Sequence, residues 1–372
     1  MPTAAPQVPA APGAATAGQS DRLELRRELR LELRLELRRE TCGEEARAWC
    51  DSLGLQSCAS EKGGLRVKVF VIHENPEWYP PFATAFEAEG VEHEPWLLGQ
   101  GVLDLDAEPP PGVYWSRMSA SAHTRGHALA KDHTRSVLNW LEAYGRRVVN
   151  GRRVLELEMS KVDQLTALRA AGIDVPRTLA VVGRDSLLEA AATFPAPFIA
   201  KHNQGGKGLG VALFESVDAF AEHLAGPDYL PPVDGITLLQ EYLVAAEPQI
   251  TRVEIVDGEV VYALTADTAR GGFQLCPADA CAVDGGPSAP SLFALREGFD
   301  HPVLEQYLGF ARRHRIEVAG FEFIETADGR LVTYDVNTNT NYNPEVEAVA
   351  PRSGPRQVAR LLKRLTTEEE KS

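Results

Sequence analysis

Ten residues, Lys201 to Gly210, read KHNQGGKGLG: four glycines and two lysines directly after an apolar run, PFIA. Glycine lets backbone N–H groups approach phosphate oxygens with no Cβ in the way, so this is the composition of a loop that holds phosphates. It is not a Walker A loop. That motif runs GxxxxGK[ST] into a helix, whereas here Lys207 is followed by Gly208 and then by the β-like VALFES. Nor is it a dinucleotide fingerprint, since no helix begins there. It joins two antiparallel strands, and alone it is no more than a hairpin loop. Other residues give it company. Lys161 lies on a helix forty residues before Lys201, and two lysines converging on a triphosphate would neutralise it. Downstream, Glu322 is on one strand of a hairpin, with Asp335 and Asn337 on the other. The last two are two apart and so share a face. Oxygen-only ligands of this kind suit Mg²⁺, which also binds substrate phosphates, with Mn²⁺ as the alternative ion. Arg252 lies on a hairpin between, where its fork of donors would hold a γ-phosphate or an acyl phosphate.

The elements that must position these groups alternate strand and helix. Strands are predicted at LRVKVFVIHE (65–74), VEHEPWLL (91–98) and GVYWSRMS (112–119). Helices are predicted at PFATAFEAEG (81–90), stopped by Gly90, and at residues 123–145, followed by a short strand at 146–151. This pattern suggests a small parallel sheet. A second unit starts near residue 155. It begins with a helix over 158–172 stopped by Gly172, then a strand (177–183), a helix (186–194), the strand–loop–strand of the glycine loop and a strand ITLLQEYL (236–243). Hairpins turned at Asp257-Gly258 and Asp328-Gly329 flank a helix, VLEQYLGFARRHR.

Bulk composition narrows the class. The 372 residues are 44% hydrophobic and 24% charged, ordinary for a soluble globular protein with a sizeable core. A net charge of -15 repels phosphate backbones and anionic membranes, so no nucleic-acid or membrane partner is expected. No apolar run is long enough to span a bilayer, and residues 1–20 lack the basic and apolar regions of a secretion signal, so the expected location is cytoplasmic. The five cysteines, Cys42, Cys50, Cys58, Cys276 and Cys281, contain no CxxC pair and read as scattered reduced thiols. Residues 1–20 read as disordered. In 21–40, leucines alternate with Arg and Glu at the strand period, although all three residue types favour helix. We read residues 1–64 as a low-complexity extension, with homo-oligomer assembly as its alternative role.

The stretches SKVDQLTALRAAGIDVPRT, PFIAKHNQGGKGLGV, LLQEYL, the Arg252 hairpin and AGFEFIE…TYDVNTN together resemble the ATP-grasp superfamily. The resemblance is strongest to the RimK-type amino-acid ligases and prokaryotic glutathione synthetases, and it runs in order over roughly residues 66–345. It implies an α/β (α+β) fold, with a small parallel-sheet N-terminal domain followed by two α+β lobes clasping ATP. The expected boundaries are an extension at 1–64, the N-terminal substrate domain at 65–150, a central lobe at 151–238, a C-terminal lobe at 239–365 and an acidic tail at 366–372. By the resemblance, Lys161 and Lys201 are the nucleotide-binding lysines. Gly205, Gly206, Gly208 and Gly210 form the loop over the β- and γ-phosphates. Gln240, Glu241, Tyr242 and Leu243 meet adenine, Arg252 is the catalytic arginine with Lys201 beside it in that role, and Glu322, Asp335 and Asn337 hold magnesium. The sequence departs from the family at three points. Ile250 replaces an acid near the ribose, for which Glu247 is the substitute. Glu322 replaces the usual Asp, and NTNTNYNPEVE replaces a small-residue ending, bringing Asn339 and Asn341 toward the site.

The family reaction joins a carboxylate to an amine through an acyl phosphate, so positioning and charge neutralisation carry the catalysis and no covalent enzyme intermediate is needed. Its partners would be a small-molecule carboxylate and amine. The segment YWSRMSASAHTRGH gathers Arg117, His123, Arg125 and His127 as a candidate anion site, with Arg117 a candidate holder of a substrate carboxylate. Its alternative is a surface-charged turn. HTRGH lacks the Glu of HExxH, which argues against zinc. Arg270, in the loop DTARGGFQLCPADAC, is a second substrate candidate. Two other functions compete with a small-molecule ligase: a RimK-type modifier adding amino acids to a protein tail, and a nucleotide-binding regulator without turnover.

Overall fold

The computed structural model describes residues 67–206, 208, 210–271 and 291–371. The extension at 1–64, the leucine repeat, Lys207, most of the loop after Arg270 and all five cysteines lie outside the described residues. Residues 65–372 form one compact unit. Among the described residues no helix is long and apolar enough to cross a membrane.

Three sheets follow in chain order. The first is parallel, with strands β1 (Lys68–His73), β2 (His93–Leu97), β3 (Gly112–Ser116) and β4 (Arg147–Val149) in the order β2-β1-β3-β4. Its strands are joined through helices α1 (Pro80–Glu89) and α2 (Ala130–Ala143). The second sheet is antiparallel, in the order β5-β8-β6-β7, from β5 (Thr178–Val182), β6 (Phe198–His202), β7 (Ala212–Phe214) and β8 (Ile236–Glu241). The third is a five-stranded antiparallel sheet, in the order β11-β10-β9-β12-β13. Its strands are β9 (Gln249–Val256), β10 (Glu259–Asp267), β11 (Phe293–Leu295), β12 (Val318–Glu325) and β13 (Leu331–Asn337). This is the α/β arrangement expected, down to the left-handed Asp257-Gly258 turn (φ 55° and 75°).

Two expected helices change. The one expected over 123–145 starts only at Ala130, because Gly126 takes φ 81° and ends a short 3₁₀ turn over Ala122–Arg125. The one expected over 158–172 is two helices, α3 (Arg152–Met159) and α4 (Lys161–Ala170), parted by Ser160 in extended backbone. A helix absent from the sequence reading, α5 (Gly354–Glu369), runs past the boundary placed at 365. It buries Val358, Leu361, Leu362 and Leu365 against Val69, Phe82, Phe86 and Trp115 of the first sheet and α1. The last helix of the unit thereby covers its first sheet.

Candidate active site

The break at Ser160 creates half of the site. Its hydroxyl accepts the N–H of Asp163 and caps α4, whose first residue is Lys161. Asn203, just beyond β6, accepts the Val162 N–H on Oδ1 at 2.8 Å, and its carbonyl accepts the Lys161 N–H at 3.3 Å. Lys201 sits two residues before Asn203 on β6. This clamp therefore brings Lys161 and Lys201 to the same cleft, a cavity of about 560 Å³ that both line.

The third sheet supplies the other half. Arg252, Glu322 and Asp335 lie side by side on β9, β12 and β13, in one cross-strand row. Between Glu322 and Phe323 the register slips, leaving Tyr334 as an extra residue on β13, so that both Tyr334 and Asp335 line the cleft. Gln164 of α4 fixes the strand from behind. Its Oε1 accepts the Val336 N–H at 2.9 Å and its Nε2 donates to the Val336 carbonyl at 2.7 Å. With Val336 held inward, Asp335 and Asn337 face the cleft from either side of it.

Charge is distributed unevenly. Lys161 donates to Asp335 Oδ1 at 2.6 Å. Burial works against its charge, but Asp335, with Glu158 and Glu322, outweighs burial and holds the ammonium above the usual lysine value. Lys201 is buried and forms no ion pair among the described residues; burial, then Lys161, draws it down to about 7. Burial pushes Glu322 up, with Arg252 opposing. For Asp335 burial pushes the same way, but Lys161 and Lys201 overcome it and hold the carboxyl below its ordinary range. Glu322, Asp335 and Asn337 fit a hard, oxygen-seeking ion. Among the described residues no three His, Cys, Asp or Glu are gathered for a metal, so the protein offers two carboxylates and an amide. That is fewer donors than an octahedral ion needs and suits one completed by phosphate and water.

The loop glycines have two different reasons. Gly208 and Gly210 both take φ 70°, a conformation side chains disfavour. Gly206 packs on Ser121, where a Cβ would lie 3.3 Å from the serine Cβ. Next to it, Gln204 donates to the Ala120 carbonyl at 3.4 Å and accepts from Lys131 at 3.1 Å, so the loop is moored on the first domain. At the other end of the cleft Gln240, Glu241, Tyr242 and Leu243 line the wall with the apolar Ile199, Val211, Ile250 and Ile324. The Glu241 N–H is engaged by the Arg177 carbonyl.

Six expected site residues do not line this cleft. Arg252 is 1% exposed; it donates to Glu254 and Glu322 Oε1 and, at 2.6 Å, to Thr340 Oγ1. Gly210 packs on the His202 ring, Glu247 is exposed, and Arg270 is exposed and donates to the Ser291 carbonyl at 3.3 Å. Asn339 has a buried Oδ1 without a hydrogen-bond partner among the described residues. Arg117 is 2% exposed and donates to the Thr340 carbonyl at 3.0 Å, Asn341 Oδ1 at 2.7 Å and the Trp78 carbonyl at 3.4 Å. Burial draws it down to about 9, so it remains a cation at neutral pH. The basic cluster around it is not an open anion site, because Arg125 and His127 both pair with buried Glu74.

Three groups missed in the sequence complete the network. Glu254, 0% exposed, pairs with Arg252 and accepts the Thr340 hydroxyl at 2.9 Å. Glu158 accepts both the N–H and the hydroxyl of Thr338 at 2.8 Å, and burial pushes its carboxyl up. Thr340 links Arg117, through its carbonyl, to Arg252, through its hydroxyl. Glu254 lies two residues from Arg252 on the same strand, and that spacing was the available signal. Thr340→Val keeps the shape and removes the hydroxyl that two buried charges share. It should lower stability by about 1–3 kcal/mol, read as a shift of the urea unfolding midpoint at unchanged slope.

Comparison with known proteins bears on the fold. Residues 159–278 match the family described as the RimK-like ATP-grasp domain. No curated protein matches the chain. Among solved structures, the ATP-grasp ligase PsnB in complex with minimal precursor, Mg and ADP is 18% identical. The match covers 82% of this chain and 100% of that one, with a TM-score of 0.58. A RimK domain ATP-grasp protein from Sphaerobacter thermophilus is 18% identical, covering 80% and 99%, with a TM-score of 0.57. The D-alanine–D-alanine ligase of Bacillus anthracis, complexed with ATP, is 14% identical, covering 82% and 99%, with a TM-score of 0.55. Residues 159–278 thus carry a RimK-like ATP-grasp domain, and the chain shares the ATP-grasp fold of these ligases.

Proposed function

We propose that the chain is an ATP-dependent carboxylate–amine ligase working through an acyl phosphate. The observation that carries this reading is the convergence on one cleft of two lysines, a glycine loop and the carboxylates of the Arg252–Glu322–Asp335 row. The apolar wall at Ile199, Val211, Ile250 and Ile324 would hold the adenine beside Gln240 to Leu243, and Gly205, Gly206 and Gly208 would cover the phosphates. A substrate carboxylate oxygen attacks the γ-phosphorus, the bond to the β-phosphate oxygen breaks, and ADP leaves. The amine then attacks the acyl carbon, phosphate departs and the amine proton is lost. Lys161 and Lys201 offset phosphate charge, and buried Arg252 holds Glu322 in place. Glu322, Asp335 and Asn337 would hold Mg²⁺, which supplies charge neutralisation to the phosphates when bound.

The second reading is a peptide or protein acceptor. It is favoured by the fold shared with PsnB, a ligase solved with its precursor. A regulator without turnover is the third. Release of ADP and phosphate across a pairwise panel of amino acids, small peptides and polyamines separates them. A small-molecule ligase requires two added substrates and yields a product whose mass is their sum less water, and Lys201→Ala lowers the release by roughly 10²–10³-fold. ATP binding without release in any pair removes the small-molecule reading and directs the search to modified proteins.

A further inference from the structure

On another face lies a groove of about 1580 Å³, nearly three times the volume of the nucleotide cleft. It is walled by α2, β4, the first turn of α3, the Asp257-Gly258 turn, the segment from Ala311 to Glu317 that ends helix Val303–His314, and Glu369 at the end of helix Gly354–Glu369. Among the described residues seven arginines line it, with no lysine, histidine or aromatic residue. In a chain of net charge -15 such a concentration of one cation needs a reason.

The acids in the groove do not supply it. Glu156 is taken by Arg135, Glu317 by Arg147, and Asp257 by Arg364, while Glu142 accepts the Arg152 N–H; the fifth, Glu369, has no side-chain partner among the described residues and is one acid against three free cations. Against them, Arg153, Arg312 and Arg315 have neither ion pair nor hydrogen bond from their side chains among the described residues. Arg153 and the 312–315 arginines come from different elements and act on common ground: burial and then the cations Arg153 and Arg313 push His314 below its ordinary value.

Local stability explains one of the three placements. Arg312 in the last turn of its helix complements the helix dipole. Arg153 does the opposite: it stands in the first turn of α3, beside Arg152, where the dipole favours acids and none is present. Arg315 takes φ 58°, at the left-handed helix stop where glycine is the favoured residue. Two arginines thus occupy positions their own backbone disfavours, and both face the same groove.

We propose that this groove docks an extended acidic peptide segment of a partner, with its carboxylates in the forks of Arg153, Arg312 and Arg315. The volume exceeds the roughly 300–1,000 Å³ of small-molecule pockets, which favours a chain over a metabolite. Planar guanidinium forks match carboxylates. The absence of an aromatic side chain from the lining, among the described residues, removes the stacking platform a single-stranded nucleic acid would use.

The test is fluorescence polarisation of a labelled oligo-glutamate peptide with the full chain, without ATP, so that it is independent of any turnover. Oligo-glutamate should bind and oligo-glutamine should not, and binding should weaken with added salt. Arg153→Gln/Arg315→Gly should weaken it about tenfold or more. Because Arg315→Gly relieves the backbone, its unfolding temperature should hold or rise while affinity falls, and ATP binding should not change. Equal binding of the two peptides, or unchanged affinity in the double variant, overturns the proposal. So does a labelled single-stranded RNA that displaces oligo-glutamate through the same arginines.

Discussion

Gly320→Ala is expected to cost more stability than any other single-methyl addition near the cleft. Gly320 lies on β12 between Glu254 on β9 and Asn337 on β13. A Cβ built there runs into the guanidinium of Arg252. A guanidinium is usually the yielding end of a flexible side chain, but here it is fully buried and tied to Glu254, Glu322 and Thr340. To move aside it must abandon Glu254, which is itself without solvent contact. Uncoupling a buried ion pair costs about 3–5 kcal/mol. Thermal and urea unfolding of the purified variant measure this directly. Because Glu322 loses its partner as well, nucleotide turnover should fall with stability. Gly320→Ala that unfolds like the parent would show that Arg252 has another resting place.

Much of this was legible in the sequence, and what was not has physical causes. The strands and their glycine-marked turns could be read because period and turn chemistry are local properties. The cleft residues could be read because charge type and strand alternation put Asp335 and Asn337 on one face. Long-range closure could not. Whether Arg252 opens to the cleft or is buried behind it depends on Gly320, sixty-eight residues away and without a side chain to read. Asn203 and Gln164 are ordinary polar residues in sequence; only folding shows that one caps a helix and the other pairs with a strand backbone. The break at Ser160 was readable, since Ser-x-x-Asp is a capping pattern, but the unbroken helical composition around it concealed the stop. Helix α5 carried its signal in the open, with apolar residues at 358, 361, 362 and 365 at helical spacing.

Nucleotide binding is expected to take up a proton, and Lys201 is the residue that takes it. The two lysines of the cleft differ in their company. Lys161 has Asp335 at 2.6 Å and stays charged through neutral pH, whereas Lys201 is buried without such a partner among the described residues and sits at about 7. The sign follows from that value. Below it Lys201 is a cation in the free protein; above it the side chain is mostly neutral, with about one tenth protonated at pH 8. A triphosphate brought against it favours the ammonium, raising the value and drawing a proton from solvent. Calorimetric titration with a non-hydrolysable ATP analogue, in buffers of different ionisation enthalpy, reads the uptake. It should approach about 0.9 proton at pH 8 and fall to about one half at pH 7. Lys201→Arg, always charged, should keep binding and lose the uptake. Lys201→Ala should lose both, and turnover with them by roughly 10²–10³-fold. A parent protein whose binding enthalpy is the same in every buffer at pH 8 would mean that Lys201 is already charged before the nucleotide arrives. The unequal pairing of the two lysines would then have no part in recognition.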